Sequence, residues 1–162
     1  GLRHVWRCVG SRWRLAGKAA GRAGPVAAQE GRGPTSCCFD GQRVVAVSAG
    51  NGHSLALTAD GAFFTLGKGD DGCLGHGEDV SDQLLPKKVE AFAGRRVVAV
   101  SAGHNHGLAI TADGAVWSWG FGGFGKLGHG DERNQLLPKK VEALAGHRVA
   151  AVSAGHAHSL AI

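Results

Sequence analysis

A chain of 162 residues with 43% apolar residues, 28 glycines and a net charge of +5 is ordinarily one domain. The basic excess lies entirely in the head: residues 1–40 hold seven Lys/Arg against two Asp/Glu, and residues 41–162 hold eleven of each. The bulk of the chain therefore gives no electrostatic reason to bind nucleic acid, and no apolar run approaches membrane-spanning length.

In chain order, residues 1–33 form a Gly/Ala/Arg-rich head with Trp6 and Trp13. Its glycines interrupt any amphipathic pattern, so it reads as a disordered tail. The four cysteines (Cys8, Cys37, Cys38 and Cys73) have neither zinc-finger nor redox-motif spacing. They fit free thiols in a reducing, intracellular compartment, cytoplasmic or nuclear.

From Pro34 the sequence repeats. The text VVAVSAGNGHSLALTADG at Val44–Gly61 returns as VVAVSAGHNHGLAITADG at Val97–Gly114 and begins again as VAAVSAGHAHSLAI at Val149–Ile162. Gln83–Ala91 recurs unchanged as Gln135–Ala143. The divisions are a partial strand at 34–43, repeats at 44–96 and 97–148, and a truncated repeat at 149–162. A fixed period of this length decides the fold before any single motif does. With no Met at its start and an end inside the third copy, the sequence reads as a piece of a longer protein.

Each full repeat offers four strands. The first, Val44–Ser48, Val97–Ser101 and Val149–Ser153, is apolar on both faces, as for a strand packed on both sides. The second is His53–Thr58 and His106–Thr111. Asp60-Gly61 and Asp113-Gly114 then make the turn, a strong hairpin signal between apolar runs. The third, Ala62–Leu66 and Ala115–Trp119, is bulky. The fourth, Leu84–Glu90 and Leu136–Glu142, contains Pro86 or Pro138, which cannot donate to a ladder, so it lies at an edge. Lys87-Lys88 and Lys139-Lys140 on that edge deter pairing with foreign sheets or offer a basic stripe to an acidic partner. The fold class is all-β: a propeller of four-stranded antiparallel blades, about two and a half of them present.

The recurring histidines are the first candidates for chemistry. His53, His106 and His158 share one position, and His104 and His156 add His-x-His pairs. Asn51 breaks that pair in the first copy, and no carboxylate recurs beside it. These residues read as structural, their ring nitrogens satisfying backbone groups, as do His76 and His129. No metal, cofactor or catalytic residue is expected. The glycine-rich loop Gly120–Gly130 leads to a strand and not to a helix, so it is no phosphate loop. Gly50, His53, Asp60, Gly61, Gly103, His106, Asp113, Gly114, Gly155 and His158 are scaffold positions. Individuality is confined to two loops per repeat. They supply the candidate partner residues Lys68, Asp70 and Asp71 in the first repeat, and Phe121, Phe124, Lys126, Asp131, Glu132 and Arg133 in the second.

The recurring unit, SAG-x-x-H followed by T-A-D-G and then C-L-G-H-G or K-L-G-H-G, resembles the regulator of chromosome condensation repeat over roughly Pro34–Ile162. The resemblance implies a seven-bladed propeller that binds protein partners without covalent chemistry. It carries two alternatives: guanine-nucleotide exchange on a small GTPase, or the propeller region of a large ubiquitin ligase. A plant ultraviolet receptor of this family depends on clustered Trp in a Gly-Trp-Arg-His-Thr context; here that place reads Gly-His-Asn-His-Gly.

Overall fold

The computed structural model describes residues 42–162 and the strands Arg3–Val9, Arg12–Ala19 and Cys38–Phe39. The chain divides into two compact units, Gly1–Val44 and Val45–Ile162. In the first, β1 (Arg3–Val9) and β2 (Arg12–Ala19) pair antiparallel from Arg3↔Ala19 to Val9↔Arg12. This hairpin occupies part of the head that composition assigned to a disordered tail. The thiols of Cys8, Cys37 and Cys38 lie outside the described residues. The short β3 (Cys38–Phe39) pairs with Gln42 and Arg43 at the start of β4 (Gln42–Ala49).

The second unit consists of repeats. The first blade has strand order β4, β5 (His53–Thr58), β6 (Phe63–Gly67) and β7 (Gln83–Lys88). The second follows the same order with β8 (Val97–Ala102), β9 (His106–Thr111), β10 (Val116–Gly120) and β11 (Gln135–Lys140). The third copy contributes the antiparallel pair β12 (Val152–Ala154) and β13 (Ser159–Ala161).

Boundaries differ from the sequence reading where side chains intervene. The third strands start one residue late because the amides of Ala62 and Ala115 bond to the Asp60 and Asp113 carboxylates in the turn. The fourth strands end at Lys88 and Lys140, and single 3-10 turns at Glu90–Phe92 and Glu142–Leu144 follow. Further 3-10 turns occupy Asp70–Gly72 and Gly123–Gly125. In the third copy the first strand is confined to Val152–Ala154.

The cores lie between blades, not inside one. Leu55, Leu57, Phe63, Val89 and Phe92 of the first blade pack against Val97, Ala109 and Trp119 of the second. Ile110, Val116 and Val141 then meet Val149, with Leu144 and Val152 alongside. β9 consequently has every residue buried, since a neighbour covers each of its faces. The rings in the first of these cores meet edge to face, Phe63 with Trp119 at 5.5 Å and Phe92 with Trp117 at 5.6 Å, the geometry that aromatic quadrupoles favour. Trp119 is fully buried at the centre. Trp119→Ala is expected to destabilise the repeat unit by about 3–5 kcal/mol, read from chemical denaturation of wild type and variant.

Candidate functional site

The repeated polar residues are used between blades. The Ser48 hydroxyl accepts the Ala102 amide at 2.9 Å, and one repeat on, Ser101 accepts the Ala154 amide at 3.0 Å. The Asn51 amide donates to the His104 carbonyl, and the His104 amide to the Gly155 carbonyl. The glycine of each SAG triplet sits beneath its own histidine ring. A Cβ on Gly50 would collide with the His53 ring and approach the Gly103 carbonyl to 2.5 Å; on Gly103 it would collide with the His106 ring. Ser, Gly and His therefore recur because one blade docks on the next through them.

The histidine rings depart from the sequence reading, in which their nitrogens satisfy backbone groups. The ring of His106 reaches a side chain of the following repeat, with Nε2 3.0 Å from the Ser159 hydroxyl. His106 Nδ1 and His53 Nε2 are buried without a hydrogen-bond partner. The residue facing His53 by the same repeat relation is Gly107, which has no hydroxyl. Gly107 stands opposite Trp119 in the β9–β10 ladder, and any Cβ there would collide with the indole. The bulk of Trp119 thus removes the partner of His53. Burial pushes both rings down to about 4; on His53 the His106 backbone opposes it, and on His106 the charges of Lys126 and neighbouring histidines add to it. The exposed His158 and the pair His104–His156, whose rings lie 4.2 Å apart and tilted by 49°, complete the row. Among the described residues no group of three or more His, Cys, Asp or Glu is placed to hold a metal ion.

The Thr-x-Asp-Gly turns are closed locally. Asp60 accepts from the Thr58 hydroxyl at 2.6 Å, and Asp113 from Thr111 at 2.6 Å. These bonds to the charged form hold both carboxyls below the usual range. The turn glycines Gly61 and Gly114 have φ of 89° and 83°, which a side chain rarely adopts. His76 and His129 are anchored in the same way, Nε2 2.9 Å from the hydroxyls of Thr65 and Ser118.

The variable loops meet at one end of the two blades. Asp71 and Phe124 occupy the same repeat position, both left-handed at φ 58° and 65°. Asn134 of the second blade donates from Nδ2 to Asp71 Oδ1 at 3.2 Å. Asn134 and Asp82 also hold their own loops, accepting the amides of Gly122 and Gly69. Asn134 is the residue sequence reasoning passed over: it closed the variable stretch Asp131–Asn134, but nothing in the pattern showed that it bridges blades. Lys68 pairs with Asp70 at the surface, Asp131 accepts the Arg133 amide, and Glu132 and Arg133 are exposed. Phe124 is 76% exposed. Lys126 differs from the other loop candidates. It is only 8% exposed, with Nζ 4.2 Å from the Phe121 ring centre, and burial lowers its pKa despite the opposing charge of Asp71. Its counterpart Cys73 is buried as a free thiol that donates to the Lys68 carbonyl; burial pushes it up to about 12, too high for a reactive thiolate.

The profile of the Regulator of chromosome condensation (RCC1) repeat matches residues 60–110 and 113–162, and a second profile of the same description matches 44–73 and 97–126. The chain belongs to this repeat family. It is 44% identical over 111 residues to the human E3 ubiquitin-protein ligase HERC2, which covers 68% of the chain but 2% of HERC2. It is 37% identical over 122 residues to the Ultraviolet-B receptor UVR8 of Arabidopsis thaliana, 75% of the chain and 28% of the receptor. Among solved structures, Prp20p of Saccharomyces cerevisiae superposes with a TM-score of 0.70 at 25% identity, covering 78% of the chain and 32% of Prp20p. Human WBSCR16 follows with 0.66 at 23%, covering 74% and 31%. The chain thus spans about a third or less of each of these four proteins, and within that part the fold is that of the RCC1 β-propeller.

Two outcomes follow from the RCC1-repeat histidines. Because the folded values of His53 and His106 lie below the ordinary histidine range, the unfolded chain binds more protons there. Stability is complete above about pH 6.5 and falls as pH drops toward 4, ahead of carboxylate titration; melting temperature against pH checks this. Gly107→Ser alone should be destabilising, but with Trp119→Leu it recreates the Ser54/Leu66 pair of the first blade and gives His53 a partner. Denaturation of the four-member cycle should show a favourable coupling of about 0.5–3 kcal/mol.

Proposed function

We propose that these repeats act as a protein-interaction module of a larger protein, binding partners without covalent chemistry through the loops around Lys68, Asp70, Asp71, Phe121, Phe124, Asp131, Glu132 and Arg133. The observation that carries the reading is the Asn134–Asp71 hydrogen bond, which ties variable loops of successive blades into one surface, while Ser48, Ser101 and His106 are engaged between blades and the Thr, Asp and LGHG histidine positions within their own blade. On that surface Phe124 is a bulky residue in left-handed backbone, a conformation costing about 1–3 kcal/mol that persists where surroundings impose it and clusters at binding sites. An exposed aromatic with the Lys126 ammonium 5.7 Å from its ring has the composition of an interface anchor. The partner is intracellular on the thiol argument.

The 44% identity to HERC2 supports placing the module in the propeller region of a ubiquitin ligase, with catalysis in another domain. Likeness to Prp20p, whose structure was described together with its binding to Gsp1p and histones, supports the alternative, exchange on a small GTPase. Affinity capture with the chain, compared with Phe124→Ala and Asp71→Ala, separates these. Specific partners should bind about tenfold or more weakly to Phe124→Ala. A captured set unchanged by both substitutions sinks the loop surface, and accelerated nucleotide release from a captured small GTPase establishes the exchange reading.

A further inference from the structure

The outer rim carries a second surface. Between the Gly77 end of the first blade's loop and β11 runs an open groove of about 560 Å³. Its floor is fixed by the Gly77 amide donating to the Leu136 carbonyl at 2.9 Å. Its walls are apolar: Pro138, the half-buried Trp117, and Leu136 and Leu137 at 36% and 52% exposure. The Trp117 indole is held in place, its Nε1 donating to the Thr111 hydroxyl at 3.1 Å and the Arg95 guanidinium lying 5.0 Å from its centre. Such a volume suits one large side chain with its flanking backbone.

The charges beside the groove are cationic. Lys139 has no ion pair among the described residues, and Lys140 has only a 4.0 Å approach to Glu142. Glu78 is the one anion in the lining. In the first blade, by contrast, the counterpart Lys87 is taken by Asp79. Protection of a sheet edge explains lysines on β11 but not an unpaired Lys139 beside an immobilised tryptophan. Pro138 offers no N–H, and the β10–β11 ladder is irregular between Ser118 and Gly120. A ligand therefore docks by side chains and does not add a strand.

We propose that this groove binds an extended acidic peptide segment that places one bulky apolar residue against Trp117 and Leu137 and its carboxylates at Lys139 and Lys140. This rests on reading the repeats as a protein-interaction module and adds a surface separate from the loops.

The probe is a blocked synthetic octapeptide of Asp and Glu around a central Phe. Its comparators are the Asn/Gln version, a version with Gly for Phe, and an oligothymidylate of matched charge. Each is titrated into the 162-residue chain with the Trp117 indole N–H observed by NMR. The acidic peptide should shift that resonance and bind more weakly as salt rises. Lys139→Glu with Lys140→Glu, and separately Leu137→Ser, should each weaken it about tenfold with circular dichroism and melting unchanged. If a variant unfolds, Lys139→Gln gives the same comparison with less perturbation. Equal binding of the neutral or Gly peptide, equal binding of the oligothymidylate through the same lysines, or indifference to both sets of substitutions overturns the proposal. Peptide failure alongside loop-dependent protein capture overturns the groove and leaves the loop surface standing; the converse overturns the loops alone.

Discussion

The contact from which the rest of the repeat unit follows is the amide of one blade entering the serine hydroxyl of the blade before it, Ala102 to Ser48 and Ala154 to Ser101. It fixes the stagger between neighbouring inner strands. That stagger brings the glycine of one SAG triplet against the carbonyl of the next and sets the histidine ring in the seam. Once the seam is fixed, Leu55, Leu57 and Phe63 pack against Val97, Ala109 and Trp119. A single blade has no core of its own; it gains one by stacking, which is the logic of repeat architectures.

This arrangement governs where function can reside. A residue bonded into the seam, as Ser48, Ser101 and His106 are, is unavailable to a partner, and so are the Thr and Asp side chains that close their own turns. What remains is the loops joining third and fourth strands, and the outer strand. The loops differ between copies in charge and shape: Asp70 and Asp71 in one, Phe121, Phe124 and Lys126 in the other. The structure further divides them, since Lys126 is drawn under its aromatic neighbours while Phe124 stays outside. The outer strands are identical in sequence, yet their lysines differ, because Asp79 in the longer loop takes Lys87 and nothing equivalent reaches Lys139.

Trp119 shows how one side chain reorders its surroundings. It fills the centre of the first inter-blade core and donates its indole N–H to the Cys73 carbonyl at 3.0 Å. To fit, it requires Gly107 across the ladder. That glycine leaves His53 Nε2 without the hydroxyl that His106 finds in Ser159. An unsatisfied buried polar atom costs about 1–3 kcal/mol, comparable with or less than what a buried tryptophan contributes, so packing prevails over polar satisfaction at this seam.

The sequence by itself determined the fold. Period, turn residues and alternation are local or translational signals, and they placed β5, β9 and the Asp-Gly turns without error. It also set the expectation of scaffold at the recurring positions, because a residue repeated at every blade serves what every blade shares. What it left undecided was what faces what across a seam. The orphaned ring nitrogen of His53, the bridge from Asn134 to Asp71, the burial of Lys126 and the groove beside Trp117 each join residues tens of positions apart. Their contacts depend on the stagger and rotation between blades, which no letter in the chain encodes locally. Only the packed structure decides which loop positions reach the surface together, and with them where partners can bind.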